Sequence, residues 1–324
     1  MEKFNQDKDQ SEPEKKEDIS SPVEPYSPYP LISPIAAAFL GLIGGFILYQ
    51  FVGGLLTLLI FGFDLQSTPV NGMRIMTIVG QILFILAPAI LFSKWIYGDV
   101  RKIISIKLPN WREVALFILG IIILTPLLQS YLYIQNYFIE KLATLSPFVN
   151  SIKSLLDALD DLIEKTFGNL MSAQNIPEIL LVIITISVVP AICEEMMFRG
   201  YIQRSFEFKL KPYLAAFITA VFFALYHMNP YGLIPLIILG FYFGFAAYKS
   251  RSLVIPMTLH FLNNFFAVML YFIIGDDELI TGNVSESSAL NMNIEFFFLM
   301  LILFIVLIIL IRRYYSQNKI IVGE

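Results

Sequence analysis

From residue 34 onward, long apolar runs alternate with short polar breaks. Each run is near or above the ~20 residues that an α-helix needs to cross ~30 Å of hydrocarbon. The pattern predicts eight spans, roughly 34–62, 75–96, 113–138, 179–206, 212–228, 231–248, 253–274 and 295–312. The fifth and sixth are short, and a hairpin dipping partway into the bilayer is the alternative there. The expected fold is therefore all-α, a polytopic membrane bundle of about eight transmembrane helices.

Two stretches break the pattern. Residues 1–31 are rich in Glu, Lys, Ser and Pro and poor in aliphatic side chains. Such a segment buries too little apolar surface to offset its ordering entropy, so it reads as a disordered cytoplasmic tail. It lacks the basic start and short apolar core of a cleavable signal peptide. Residues 139–176 are amphipathic: Ile152, Leu155, Leu156, Leu159, Leu162 and Ile163 recur at helical spacing, with Asp157, Asp160, Asp161 and Glu164 opposite. That pattern predicts an interfacial helix on the outer face, packing against the bundle or helping to admit a substrate. The organisation that follows is a tail (1–31), N-terminal helices with the outer amphipathic segment (32–178), a core (179–274) and a last helix with its flanks (275–324). No internal repeat is visible.

Composition strengthens the membrane reading. The 324 residues are 57% hydrophobic and 15% charged, with a mean hydropathy of +0.71, against about 25% charged residues in an average soluble domain. An ordinary cytosolic enzyme is excluded. The tail holds eight acids and four lysines, which accounts for the whole net charge of −4. No basic patch suited to nucleic acid is apparent. The single cysteine, Cys193, allows neither an internal disulfide nor a Cys-x-x-Cys metal spacing. With the N-terminus inside, 18 of the 22 basic residues fall on the inner side, leaving Arg74, Lys141, Lys153 and Lys165 outside. The positive-inside rule then implies both termini cytoplasmic, in the plasma (inner) membrane. Trp95 and Trp111 flank the loop between spans two and three, as interfacial anchors do.

Ionisable side chains within spans are costly, so each is a candidate for function. Span four carries Glu194, Glu195 and Arg199; span five carries His227; span seven carries His260 and Asn264. The only two histidines of the chain thus lie in apolar runs. Glu195 and Arg199 are four residues apart and can pair on one helix face. Glu194 is turned about 100° away, without that local partner, and is left as a general base. Phe223 lies one turn before His227 and can pack beneath its ring. His260 and Asn264 share a face that Asn263 does not. Pro190, one turn before Glu194, removes a backbone hydrogen bond. Cys193 reads as a small buried hydrophobe rather than a nucleophile. The Gly240-x-x-x-Gly244 spacing suggests close internal helix packing and implies no oligomeric state. The Phe-rich eighth span reads as lipid-facing. Counting ~1.5 Å per residue from the inner span ends puts Glu194 about 18 Å deep, His227 about 22 Å and His260 about 10 Å. Tilted helices or a partial hairpin would reconcile the three.

The set Glu-Glu-x-x-x-Arg (Glu194, Glu195, Arg199), Phe-x-x-x-His (Phe223, His227) and His-x-x-x-Asn (His260, Asn264) resembles the CPBP intramembrane proteases. That group unites type II CAAX prenyl endopeptidases with bacteriocin-processing and immunity (Abi) proteins. The resemblance covers about residues 180–270, including PAICEEMMFRGYIQRSF and ILGFYFGFAAYKSRSLVIPMTLHFLNN; the N-terminal half carries no matching motif.

The resemblance implies hydrolysis of a peptide bond within the membrane. By motif position, Glu194 and His227 would activate a water, His260 and Asn264 would stabilise the oxyanion, and Glu195, Arg199 and Phe223 would support them. It leaves the metal open: Glu194, His227 and His260 could form a three-ligand zinc site with one free position, or the chemistry could be glutamate-dependent without a bound metal. The His-Glu-x-x-His signature of ordinary zinc proteases is absent. Expected partners are membrane lipid and a peptide or membrane-protein substrate, and no nucleic acid. The competing readings are a proton-coupled transporter, which the lack of repeated halves disfavours, and a non-catalytic immunity or scaffold protein of the same fold.

Overall fold

The computed structural model describes residues 30–63, 68–274 and 287–322. The reading of 1–31 as a tail lies, but for its last two residues, outside the described residues, as does the start of the last stretch, 275–286. Among the described residues the long elements are all helices: α1 (Pro34–Phe61), α2 (Val70–Tyr97), α3 (Trp111–Leu145), α4 (Pro147–Met171), α5 (Ile176–Glu207), α6 (Pro212–Tyr226), α7 (Leu233–Ser250), α8 (Val254–Ile274) and α9 (Ser287–Val322). Seven of them are long and apolar enough to cross a membrane. The exception among the expected spans is α6, whose 15 residues reach only about 22 Å at ~1.5 Å per residue. The eight-span count thus becomes seven long helices plus one short one, because the chain leaves the helix at Tyr226 instead of running on to 228.

Helix ends follow their local chemistry. The α3 N-terminus has a capping box, with the Asn110 side chain accepting from the first turn and Glu113 reaching back to the Asn110 amide. Ser146 and Asn175 cap α4 and α5. Two widened π turns, Ile82–Leu86 in α2 and Ile184–Val188 in α5, each contain the carbonyl four residues before a proline, Phe84 before Pro88 and Ile186 before Pro190. Proline has no N–H to bond that carbonyl and its ring crowds it, so the turn opens.

The interior is inverted relative to a soluble domain. Arg74, Gln81, Glu195, Arg199, Gln203 and His260 are buried, while Leu59, Ile75, Leu91, Phe298, Ile302 and Ile305 are exposed. A lipid solvent explains both, since apolar side chains lose nothing outside and polar ones find partners only inside. Two apolar clusters form the core. One gathers side chains of α1, α2, α5 and α6, including Cys193 as a buried hydrophobe; the other gathers α3, α7, α8 and α9.

Small residues let the helices approach closely. A Cβ on Gly240 would lie 3.0 Å from Phe223, and one on Gly244 would lie 2.7 Å from Gln203, so this pair serves internal packing as its spacing suggests. Their carbonyls accept from Arg199 and Gln203, both at 3.0 Å. The tightest approach is at Gly120, where a Cβ would sit 1.9 Å from the Tyr242 hydroxyl, which donates to Phe117 O at 2.8 Å. Gly120→Ala is therefore expected to displace Tyr242 and lower stability by about 1–3 kcal/mol, read as the unfolding midpoint in detergent. An unchanged midpoint would mean that α3 and α7 slide apart freely.

The amphipathic segment forms α4 as expected, with Phe148, Leu155 and Leu162 exposed along its apolar stripe. It is stapled to the bundle. Arg74 donates to Leu170 O at 2.9 Å and to Ser172 O, closing the C-terminal end of α4, where a cation suits the free carbonyls.

Candidate active site

The site forms where α5, α6, α7 and α8 meet. Glu195 and Arg199 pair as their spacing predicts, with Nη1–Oε1 at 2.7 Å and both side chains fully buried. Arg199 also donates to Gly240 O, and its guanidinium lies 4.4 Å from the Phe223 ring centre and 5.4 Å from that of Phe243. One ring comes from each apolar cluster, so this cation holds the two halves of the core together through its aromatic faces.

Glu195 does more than balance Arg199. Its Oε1 also meets His260 Nδ1 at 2.8 Å, which fixes the ring and turns Nε2 away. His260 stacks on Phe243 (5.5 Å, 26°) and meets Phe223 edge-on (5.9 Å, 85°). This contact revises the depth count, which put His260 well short of the diacid. His260 lies six residues into α8, while Glu195 lies twelve residues before the end of α5. At ~1.5 Å per residue the two helix ends are offset by about 9 Å. The start of α8 is held inside by bonds from Leu253 N to Ser105 O, at 3.0 Å, and from Ser252 Oγ to Lys107 O.

His227 does not lie inside a helix, as a span to residue 228 implied. It is the C-cap of α6, followed by Met228 at φ 53°, Asn229 and Pro230. The helix stops here because proline disfavours helical backbone at the residue before it. His227 Nδ1 lies 2.7 Å from Phe223 O, and its ring packs 4.7 Å from Phe223, as expected from their spacing. In the neutral ring Nδ1–H donates to that carbonyl, so Nε2 carries the free lone pair. Both imidazoles thus rest on the same Phe223 ring.

Glu194 is half-buried and lacks a bond within its own helix. Its partner is Gln81 of α2, whose Nε2 donates to Oε1 at 2.9 Å. The other oxygen, Oε2, is buried without a protein partner. Tyr49 of α1 lies within electrostatic reach of Glu194, and Gln50 donates to Tyr226 O at 2.9 Å beside His227. Sequence reasoning missed these N-terminal residues. The available signals were Gln50 and Gln81, each a polar interruption of the apolar run around it.

Asn264 differs from a free donor. Its Nδ2 bonds Ile186 O at 2.9 Å and its Oδ1 accepts from Asn263 at 3.2 Å. Ile186 O is the carbonyl that Pro190 cannot bond, so Asn264 repairs the break in α5, with one amide hydrogen remaining.

As placed, the three zinc candidates Glu194, His227 and His260 do not form a ligand group. Among the described residues no three His, Cys, Asp or Glu side chains come together as a ligand group. Their bonds to described residues use His260 Nδ1, His227 Nδ1 and one oxygen of Glu194, and leave Nε2 of each ring and Oε2 of Glu194 without such a bond.

The loop after His227 is tied outward. Tyr231 donates to Asp157 of α4 at 2.5 Å, and Gln135 of α3 donates to Tyr231 O at 3.0 Å. Burial lifts the Asp157 carboxyl, but bonds from Lys153 and Tyr231 outweigh this and hold it below the usual carboxylate range. The amphipathic helix is thereby connected to the segment that carries His227.

Residues 176–266 match the family described as Rce1-like, type II CAAX prenyl endopeptidase. The match agrees with the resemblance read over 180–270, and all seven motif residues lie within it. Comparison with curated proteins and with solved structures found no match. With seven long apolar helices among its described residues, the protein is a multi-pass integral membrane protein, and its residues 176–266 are similar to the Rce1-like family.

Proposed function

We propose that this protein is an intramembrane endopeptidase that cleaves a peptide bond in a membrane-associated protein or peptide. The observation that carries the reading is the division of labour within the diacid. Glu195 holds both Arg199 and His260 on Oε1, whereas Glu194 holds only the neutral Gln81 amide; each keeps a buried Oε2 without a protein partner, and that of Glu194 belongs to the carboxylate with no cation bonded to it. A carboxylate oxygen of that kind accepts a proton from water.

In the proposed reaction, Glu194 and the free Nε2 of His227 orient a water and take its proton. The hydroxide oxygen bonds to the scissile carbonyl carbon. His260, held through Nδ1 on Glu195, presents Nε2 to the oxyanion. Asn264 adds its remaining amide hydrogen. Collapse breaks the C–N bond, and the proton held by Glu194 passes to the leaving nitrogen. No step is routed through a metal.

Substrates with a lipidated C-terminus fit the family description, and the basic inner face of the bundle supports both termini being cytoplasmic. Comparing membrane peptides by mass spectrometry from cells with the wild-type chain and with His227→Ala tests the reading. Products present only with the wild type support it. Identical peptide sets would remove the enzyme assignment.

Gln81 is proposed as the positioning residue for Glu194. Gln81→Leu is expected to lower kcat roughly 10- to 100-fold by releasing the carboxylate, with KM and the unfolding midpoint little changed. A drop in KM-controlled binding alone would move Gln81 to a substrate-contact role.

A further inference from the structure

The inner end of the bundle carries a second site that the proposed chemistry does not use. A cleft of about 510 Å³ opens between the end of α7 and the last turns of α9, lined by Tyr248, Lys249, Arg251, Ile309, Arg312 and Arg313 among others. Four of those six residues are cations. Among the described residues none of the four forms a salt bridge, although pairs of other residues do. Of the acids close by, Glu113 faces Tyr315 on the cleft wall but its Oε2 accepts from the Asn110 amide instead of a cation, and Glu207, which lines a separate recess with Arg251, pairs with Arg204.

Backbone geometry gathers these charges. Arg251 ends α7 in the left-handed conformation (φ 52°, ψ 31°), which turns the chain sharply after Lys249. Arg312 and Arg313 follow directly on the apolar stretch of α9. Lys249 lies 5.5 Å from the Tyr248 ring and 6.0 Å from that of Tyr213, which steadies its ammonium. The cleft lies near interface depth, since α9 packs closely along α3, whose first residue is the exposed Trp111.

A dense group of unpaired cations at this depth repels itself unless an anion enters. The cleft's apolar wall at Ile309 continues into the exposed Ile302, Ile305, Val306 and Leu310 of α9. A ligand with a phosphate at one end and a hydrocarbon chain at the other satisfies both surfaces. We infer that this cleft binds the phosphate of an anionic glycerophospholipid headgroup, with an acyl chain lying along α9. Basic pockets between helix ends on this side of a membrane are suited to such headgroups.

The test uses the full chain purified in detergent and fluorescent phosphatidylglycerol, with a chain-matched phosphatidylcholine as the neutral probe. Phosphatidylglycerol should be retained more tightly, and Arg312→Gln with Arg313→Gln should weaken it by about fivefold per cation removed. Lys209→Gln with Lys211→Gln, also near the inner end but not lining the cleft, should leave retention unchanged. Equal retention of the two lipids, or equal loss in both variant pairs, would overturn the site in favour of a diffuse surface charge. Displacement of the lipid by millimolar inorganic phosphate would overturn the lipid assignment in favour of free phosphate. The outcome is independent of peptidase activity, so it stands or falls apart from the proposed reaction.

Discussion

Glu194→Gln should reduce peptide cleavage by about 10³-fold, roughly 4 kcal/mol of transition-state stabilisation, while the protein remains folded and inserted. The amide keeps the size of the carboxyl and can still meet Gln81, so packing is retained and only the proton acceptor is lost. His227→Ala should fall to a similar level. The double variant should be little worse than either, because the two side chains act on the same water. Single-turnover cleavage of an identified substrate, followed beside the unfolding midpoint, separates the chemical step from stability. More than a tenth of wild-type activity in Glu194→Gln would remove this residue as the base and shift attention to Glu195.

The second large effect concerns stability. Arg199→Met removes the cation from a pair in which both partners are fully buried, leaving Glu195 with His260 as its only polar neighbour. Breaking such a buried pair from one side costs about 3–5 kcal/mol, so Arg199→Met should unfold far earlier in denaturant than the parent chain. Adding Glu195→Gln removes the stranded charge and should recover much of the loss, giving a coupling term in a double-mutant cycle. That double variant should stay inactive, since an amide no longer holds His260 as the carboxylate does. Additive losses with no recovery would mean that Arg199 acts through its contacts with Phe223 and Phe243, not through its charge.

Much of this was legible along the chain. An apolar run of about twenty residues has few fates in water, so the membrane bundle and the placing of the long spans follow from hydropathy. The Glu195–Arg199 pair and the Phe223–His227 packing are local, four residues apart in sequence, and local geometry is readable from spacing; the Gly240-x-x-x-Gly244 spacing marked a close approach but not its partners on other helices. The motif residues of α5, α6 and α8 were recognisable for the same reason. The end of α6 was less so: Asn229 and Pro230 mark it, but apolar side chains on both sides mask the break.

Contacts between distant helices were decided elsewhere. Gln81 reaches Glu194 across 113 positions, and Glu195 reaches His260 across 65; no periodicity encodes which helices become neighbours or at what relative height. Asn264 looked free in sequence, yet it is committed to Ile186 because Pro190 leaves that carbonyl without its backbone partner. Composition and spacing thus determined that this chain is a helical membrane protein with a polar motif buried in it. Helix offset and packing alone decided which carboxylate holds an imidazole beside its arginine and which meets only a neutral amide, since in a low-dielectric interior each polar group takes whatever partner the neighbouring helix brings within reach.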